Sequence, residues 1–286
     1  MKALRLSGIA AGTAGAVALF LFVAHPGRLA AALASLPAAS LLAAAGATMA
    51  GVMLGAARWR GLLAAGGTQA SVARLFAALT AGAAVNNLVP ARGGDAVRVE
   101  SAHKLTGAGR LEIAGTMVAE RILDGFVLAI LVASGALLSG AGGRFVWIGG
   151  GLAVAIAAGG AVALRKRFAK YRDGLGVALL TTAGIWFADA VMYGALARGF
   201  GLGLSLGALL LLVGAGNLAL AVPGVAAGLG SFELVTLAGA HGIGLGGPQL
   251  AAFVLAVHAV IVLPTTVTGL ALAPWTGIRP RYRARA

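Results

Sequence analysis

Two segments of this sequence place polar residues, proline and glycine inside long apolar stretches. Segment 86–98 reads NNLVPARGGDAVR, and segment 217–233 reads NLALAVPGVAAGLGSFE. Each contains asparagine, then proline, a glycine-rich turn and a carboxylate. Proline removes a backbone donor and disturbs the preceding helical turn, whereas glycine permits positive φ and lets a ligand approach the backbone. We therefore interpret both segments as broken helices, and ordinary Pro-Gly loops are the alternative.

The chemistry that suits such segments is the binding of phosphate. A helix that begins near Asp95 or Ser231 directs free N–H groups and the positive end of its dipole towards the turn. Arginine can also hold a phosphate with two parallel hydrogen bonds. The residues that we predict to bind a phosphate-bearing substrate here are Asn87, Arg92, Asp95, Arg98, Asn217, Gly228, Gly230, Ser231 and Glu233. Glu233 is also the carboxylate that we expect to take up a proton during a transport cycle.

A third charged group, Glu120, Arg121 and Asp124, lies within an apolar stretch that starts near Glu112. In a helix, these residues are about 12 to 18 Å from its start, close to the middle of a hydrocarbon core about 30 Å thick. Arg121 can reach Asp124 at a separation of three residues. Ionisable groups at that depth usually face a cavity or a partner. We add all three to the predicted substrate site, with a structural ion-pair cluster as the alternative.

Composition identifies the elements that must position these residues. The chain has 286 residues, of which 60% are apolar and 10% charged, with 46 glycines and no cysteine. Soluble domains have about a quarter of their residues charged, and disordered chains are polar, so both classes are excluded. The lack of cysteine excludes disulfides and thiolate sites.

Apolar stretches long enough to cross a bilayer as a helix predict six spans, at 6–24, 36–57, 112–138, 145–164, 174–198 and 250–273. The interrupted stretches 69–90 and 205–240 are predicted to enter the membrane and turn back. The predicted fold class is thus an all-α polytopic membrane protein with six transmembrane helices and two oppositely oriented re-entrant hairpins. Broken helices related by inverted topology are a recurring design of transporters.

The net charge of +14 is explained by its distribution over the loops. With both hairpins re-entrant, 18 of the 22 basic residues lie on one side of the membrane, Arg58, Arg60 and Arg74 among them. The positive-inside rule then predicts a protein of the cell inner membrane with both termini cytoplasmic. The basic clusters 165–172 and 279–285 would lie against anionic lipid headgroups, so we expect no nucleic-acid partner.

Motifs for other chemistry are missing from the sequence. There is no Gly-Lys-[Ser/Thr] phosphate-binding loop, no set of histidines and carboxylates with metal-ligand spacing and no acid–histidine–serine arrangement. We therefore expect no ATPase activity, no metal, no cofactor and no catalysis. His241 and His258, on apolar helices, are expected to be packing residues.

The motifs in segments 87–98, 120–124 and 223–233 resemble, in order and spacing, those of the flippase-like integral membrane family. This family includes the transmembrane flippase region of lysylphosphatidylglycerol synthases. The resemblance implies a lipid-translocating domain, which in bifunctional members moves an aminoacylated phospholipid made by a separate soluble domain. For this chain we expect one membrane domain over residues 1–286, with hairpins near 69–95 and 205–240 and no soluble synthase domain.

The predicted function is therefore a flippase or scramblase-like transporter that moves a phosphate-bearing lipid between leaflets. Its predicted partners are membrane lipids with an anionic or aminoacylated headgroup, together with either a second copy of the chain or a lipid-synthesis enzyme. Two alternatives stay open: an intramembrane enzyme acting on a lipid phosphate, and a scaffold subunit of a lipid-synthesis complex.

Overall fold

A computed structural model describes residues 26–88, 93–140, 143–166, 174–221 and 228–277. Within these ranges the chain is helical and contains no strand. The helices are α1 (Pro26–Ala34), α2 (Ala38–Ala65), α3 (Val72–Leu88), α4 (Gly93–Thr106), α5 (Arg110–Ser139), α6 (Gly143–Lys166), α7 (Leu175–Gly199), α8 (Leu206–Ala221), α9 (Ser231–His241) and α10 (Pro248–Leu272), and a short 3₁₀ turn, Ala273–Thr276, follows.

The helices agree with the predicted spans wherever these fall on described residues. Helices α2, α5, α7 and the stretch Gln249–Thr276 are long and apolar enough to cross a membrane. Bulky apolar side chains such as Leu180, Phe187 and Trp275 are more than 70% exposed on the outer surface, which suits contact with lipid. Helix α6 matches the span predicted at 145–164, whereas the span predicted at 6–24 lies outside the described residues. Helix α1 was not predicted.

Both interrupted stretches form pairs of short antiparallel helices. In the first pair, Gly82 of α3 faces Arg98 of α4 while Asn86 faces Gly94, so the two helices run in opposite directions. In the second pair, Gly216 of α8 lies against Thr236 of α9, and Leu220 against Gly228. The prolines and Arg92 lie in the connecting segments 89–92 and 222–227, outside the described residues. The hairpins are confirmed as pairs of helices, and their entry into the membrane stays a prediction.

Helix order and packing reveal an internal repeat. Helices α7, α9 and α10 follow α2, α4 and α5 at an almost constant offset along the sequence, and α8 follows α3 at a slightly shorter one. The packing follows the same correspondence between helices. Helix α3 packs against α10, and their equivalents α8 and α5 pack against each other. The pair α4 and α5 likewise corresponds to the pair α9 and α10. The equivalent first residues are Ala38 and Leu175, Val72 and Leu206, Gly93 and Ser231, and Arg110 and Pro248.

The two halves are inverted relative to each other. Gly51 of α2 lies against Ala188 of α7, and Gly55, one turn further along α2, lies against Ile185, one turn earlier in α7. The equivalent helices α2 and α7 are therefore antiparallel and pack along the boundary between the halves. Helix α6 runs antiparallel to α5, since Gly149 contacts Ala133 and Gly160 contacts Ile122.

Glycines allow the long helices to approach the hairpins closely. A Cβ atom at Gly269 of α10 would collide with the Thr80 carbonyl oxygen of α3. In the other half, a Cβ atom at Gly135 of α5 would collide with the backbone nitrogen of Leu211 in α8. Small residues at such crossings let helix backbones pack tightly where the hydrophobic effect between helices is weak. Equivalent crossings thus fix both hairpins against the spanning helices.

We expect Gly269→Ala to lower the free energy of unfolding by about 1–3 kcal/mol, because the backbones of α3 and α10 must separate to accept a methyl group. Thermal unfolding in detergent measures the effect. The control is Gly46→Ala in α2, where a Cβ atom meets nothing within 4 Å and alanine is the better helix former. Equal melting temperatures for the two variants would contradict this account of the crossing.

Candidate functional site

Arg58 is the centre of a buried charge cluster. Its Nη1 and Nη2 atoms donate to the two carboxylate oxygens of Asp124 at 2.6 and 3.1 Å, and Nη1 also donates to Thr182 Oγ1 at 2.9 Å. The residue is only 6% exposed. The prediction that Arg58 lies in a loop is wrong, because α2 continues to Ala65 and the apolar helices α5 and α7 surround the guanidinium.

Glu120 joins a second arginine to this cluster. Arg98 Nη2 donates to Glu120 Oε2 at 2.8 Å, and Arg58 Nε lies 3.6 Å from Glu120 Oε1. The Arg98 guanidinium also lies 4.4 Å from the ring centre of Trp59, which is fully buried. Two arginines thus face two carboxylates, Glu120 and Asp124. Burying charge costs several kcal/mol per ion unless it is paired, so these four residues must be positioned together.

The cluster has unused hydrogen-bonding capacity. Arg98 Nε is buried without a hydrogen-bond partner among the described residues, and Arg58 Nε and Glu120 Oε1 face each other at 3.6 Å, beyond hydrogen-bond distance. Buried polar atoms usually make hydrogen bonds. Several buried donors and acceptors without such bonds in one place are a feature of ligand-binding sites as well as of strained sites. These atoms lie beside a cavity.

The cavity has a volume of about 230 Å³ and lies where the two halves meet. Its polar lining includes Arg58, Arg98, Glu120, Asp189 and Asn217. Apolar side chains of α2, α3, α7 and α10 form the remaining wall. A small, partly open space that has charged groups of both signs on its wall and is bordered by apolar helices can bind a compact polar group that carries charge.

Asp189 and Asn217 contribute a further carboxylate and an amide to the cavity. Asn217 Nδ2 donates to Asp189 Oδ2 at 3.0 Å and to the Val213 carbonyl at 3.0 Å. Asn217 therefore links the Asp189 carboxyl of α7 to α8. The cavity wall thus carries two arginines and two carboxyl groups, those of Glu120 and Asp189, and Asp124 joins them through Arg58.

The first hairpin is tied to α10 by Asn87. Its Nδ2 atom lies within donor range of Thr266 Oγ1 at 2.9 Å and Thr265 Oγ1 at 3.3 Å. Asn86, its neighbour, accepts a hydrogen bond from the Gly94 backbone N–H at 2.8 Å and so satisfies a free donor at the start of α4. Asn87 is therefore a contact between hairpin and helix in this structure rather than a wall of the cavity.

Asp95 and Arg121 lie apart from the cavity. They pair at 3.7 Å, with their side chains 34% and 52% exposed, in a groove of about 520 Å³ between α4 and α5. Arg121 is thus on a different face of α5 from Glu120 and Asp124. At the mouth of the same groove Arg110 donates to Glu100 at 2.9 Å, and this bond lowers the pKa of the Glu100 carboxyl.

Glu233 is buried in the second half and closes the start of α9. Its Oε2 atom accepts from the Gly230 backbone N–H at 2.7 Å, and its Oε1 atom lies 2.5 Å from His258 Nδ1. Ser231 Oγ donates to the Gly228 carbonyl, and Gly228 and Gly230 both have positive φ. These residues shape the hairpin turn, and they do not line the central cavity.

Apart from Asn87, which contacts α10, the sequence-predicted residues that the structure describes form three groups. The cavity brings together Arg98, Glu120 and Asn217, with Asp124 attached through Arg58. Residues Asp95 and Arg121 form the groove pair, and the glycine turn with Glu233 forms the third group. Arg58, Thr182 and Asp189 were missed as site residues, and His258 was expected to be a packing residue. The signal for Arg58 was its place directly after an apolar run, which could have indicated a helix that extends further.

Together these observations define a helical membrane protein with a charged cavity between two inverted halves. A family model for the lysylphosphatidylglycerol synthase TM region matches residues 8–269. The chain therefore belongs to this family, and the resemblance of the sequence motifs is confirmed. No protein of curated function matches the chain in sequence.

We expect Arg58→Leu to destabilise the fold by about 3–5 kcal/mol, because Asp124 would be left as an uncompensated charge. The double variant Arg58→Leu with Asp124→Leu should recover most of that loss, since it removes both partners. Thermal unfolding in detergent measures all three proteins. Arg60→Leu, an exposed position on the same helix, is the control and should unfold like the parent. A double variant no more stable than Arg58→Leu would contradict the pairing.

Proposed function

We propose that this protein is a lipid transporter that moves a phosphate-bearing lipid between the leaflets of the cell inner membrane. The observation that carries the proposal is the cavity of about 230 Å³ with Arg58, Arg98 and Glu120 on its wall. Charged groups within membrane helices are costly and usually mark a substrate or ion pathway. Membership of a family named for a lipid synthase supports a lipid as the substrate.

The two arginines supply the proposed phosphate site. A guanidinium that bonds a carboxylate with two N–H groups can bond a phosphate in the same way. The Nε atom of Arg98, which has no hydrogen-bond partner among the described residues, is a donor available for this exchange. When phosphate takes the place of Glu120 or Asp124 on an arginine, the released carboxylate can pair with a cationic part of the headgroup. Asp189 offers a further carboxyl group for such a contact.

The size of the cavity limits what enters it. Pockets for drug-sized ligands occupy about 300–1,000 Å³, and this cavity is smaller. It suits a headgroup, whereas the acyl chains would stay in the surrounding bilayer and need no binding site. Only the headgroup must then exchange its hydration for protein contacts.

The inverted repeat supports a mechanism of alternating access. In transporters of this design, one half rocks against the other around a site near the membrane midplane. Here α2 and α7 pack along the boundary and contribute Arg58 and Asp189 to the cavity. With both termini cytoplasmic, as the charge distribution predicts, the two hairpins would enter from opposite faces. The proposed activity is transport without catalysis, ATP hydrolysis or a cofactor.

We expect purified protein in liposomes to move headgroup-labelled phosphatidylglycerol or its aminoacylated form between leaflets, measured by reduction of the outer-leaflet label. Asp189→Asn and Arg98→Gln should slow the movement at least tenfold, because each removes an ionisable group that lines the cavity. Arg60→Ala, which is exposed on α2, should leave the rate unchanged.

Mass spectrometry of the recovered lipid separates transport from chemistry on the lipid. Transport leaves the lipid unchanged, so a new lipid species would favour the intramembrane enzyme. If the folded protein moves no lipid of either headgroup and yields no product, the transport proposal fails and the scaffold alternative takes its place.

A further inference from the structure

The two halves contain equivalent pairs of a carboxylate and a basic side chain. Asp95 is the third residue of α4 and pairs with Arg121 of α5, whereas Glu233 is the third residue of α9 and pairs with His258 of α10. The sequence separation between the partners is nearly the same in the two pairs. In each half, the pair joins the returning arm of the hairpin to the long helix that follows it.

Arg121 and His258 occupy nearly equivalent positions, the twelfth residue of α5 and the eleventh residue of α10. When Arg121 is aligned with His258, Ala119 aligns with Ala256. The same alignment places a row of buried residues of α5 on a row of buried residues of α10. The pairs in this row are Ile113 and Leu250, Thr116 and Phe253, Met117 and Val254, and Glu120 and Val257.

The equivalent pairs are in different states. Arg121 and Asp95 are 3.7 Å apart, with side chains 52% and 34% exposed. His258 and Glu233 are 2.5 Å apart, and each side chain is 3% exposed. The contact between hairpin and long helix is therefore longer and exposed in the first half, and shorter and buried in the second half.

The space beside each pair differs in the same way. In the first half, a groove of about 520 Å³ separates α4 from α5 and is lined by Ala114, Met117 and Val118 between the two ion pairs. In the second half, Ala251, the equivalent of Ala114, is 5% exposed, and the buried ring of Phe232 lies 4.8 Å from the His258 ring. Among the described residues, the side chains beside the second pair are thus buried.

The open groove has the chemistry of a path for a lipid headgroup. Arg121 lies about 16 Å along α5, where an exposed guanidinium among apolar side chains is costly unless an anion or water reaches it. Arg110 and Arg121 face the groove together with Glu100 and Asp95. A headgroup with a phosphate would meet an arginine at the mouth and a second one about three helical turns deeper.

We propose that the groove between α4 and α5 is a lateral entrance for the lipid headgroup, and that Asp95–Arg121 and Glu233–His258 are the gates of two symmetry-related entrances. In this structure the first gate is open and the second is closed. Because the halves are inverted, the entrances face opposite leaflets, and exchanging the conformations of the halves would close the first gate and open the second. The inference rests on the proposed transport function and assigns its two lipid entrances.

Site-directed labelling can follow both gates, because the chain has no cysteine of its own. Ala114→Cys and Ala251→Cys are introduced singly, and each protein is placed in nanodiscs of phosphatidylglycerol and phosphatidylethanolamine. A water-soluble maleimide reaches both faces of a nanodisc. Ala114→Cys should react at least tenfold faster than Ala251→Cys, and equal rates would overturn the assignment of open and closed gates.

Removing a gate contact should shift the two rates in opposite directions. Glu233→Gln, which weakens the contact with His258, should raise the rate at Ala251→Cys and lower the rate at Ala114→Cys. Asp95→Asn should keep the first gate open and leave Ala251→Cys slow. His241→Ala, an exposed position on α9, is the control and should change neither rate. Rates that rise together with Glu233→Gln would mean local loosening and would overturn the coupling of the gates.

Protection of the cysteine by a ligand tests the headgroup entrance even if Glu233→Gln fails to fold. Glycerol phosphate, a soluble analogue of the headgroup, should protect Ala114→Cys from labelling more than sulfate does at the same ionic strength. Equal protection by both anions would overturn the headgroup entrance. The proposed function can fail separately from the gates. Reciprocal labelling without lipid movement in liposomes would support the gates and overturn the transport function. Lipid movement without reciprocal labelling would support transport and overturn the gates.

Discussion

The structure depends on the mutual neutralisation of charge inside an apolar helical bundle. Arg58 alone connects three elements, because its own helix α2 carries it to Asp124 of α5 and Thr182 of α7. Neither the arginine nor the carboxylates could stay ionised in hydrocarbon without the others. The cluster therefore fixes the long helices of the first half to each other and to the second half, and the cavity is the space that remains beside it.

The hairpins pack against the long helices around the charge cluster, and glycines at the crossings allow this close packing. Close crossings at Gly135 and Gly269 bring each hairpin against the long helix of the opposite half. Arg98 is carried on the returning arm of the first hairpin and reaches Glu120 from there. The second hairpin contributes Asn217 from its entering arm. Each half thus supplies polar groups to a site that neither half could enclose by itself.

Much of this architecture could be predicted from the sequence, because the signals for it are local. Apolar length predicts α2, α5, α7 and α10, and a proline with glycines predicts where the hairpins turn. The partners of charged residues could not be predicted in the same way. Arg58 ends an apolar run and so resembles a loop residue, and only Asp124, 66 residues away, shows that it is inside. Arg121 and Asp124, three residues apart, have different partners, since the preference within one helix is worth only about 0.2–0.5 kcal/mol.

The antiparallel order of successive helices also explains why the halves are inverted. In the part of the chain that the structure describes, α2 to α6 are five helices, and α7 then repeats α2. Five is odd, so a chain that reverses at every turn must start its second copy in the opposite direction. The orientation of the second half therefore follows from the odd number of helices in the first, and no separate sequence signal is needed to set it. Without a helix such as α6 between them, the two copies would be parallel, and both hairpins would lie on the same face.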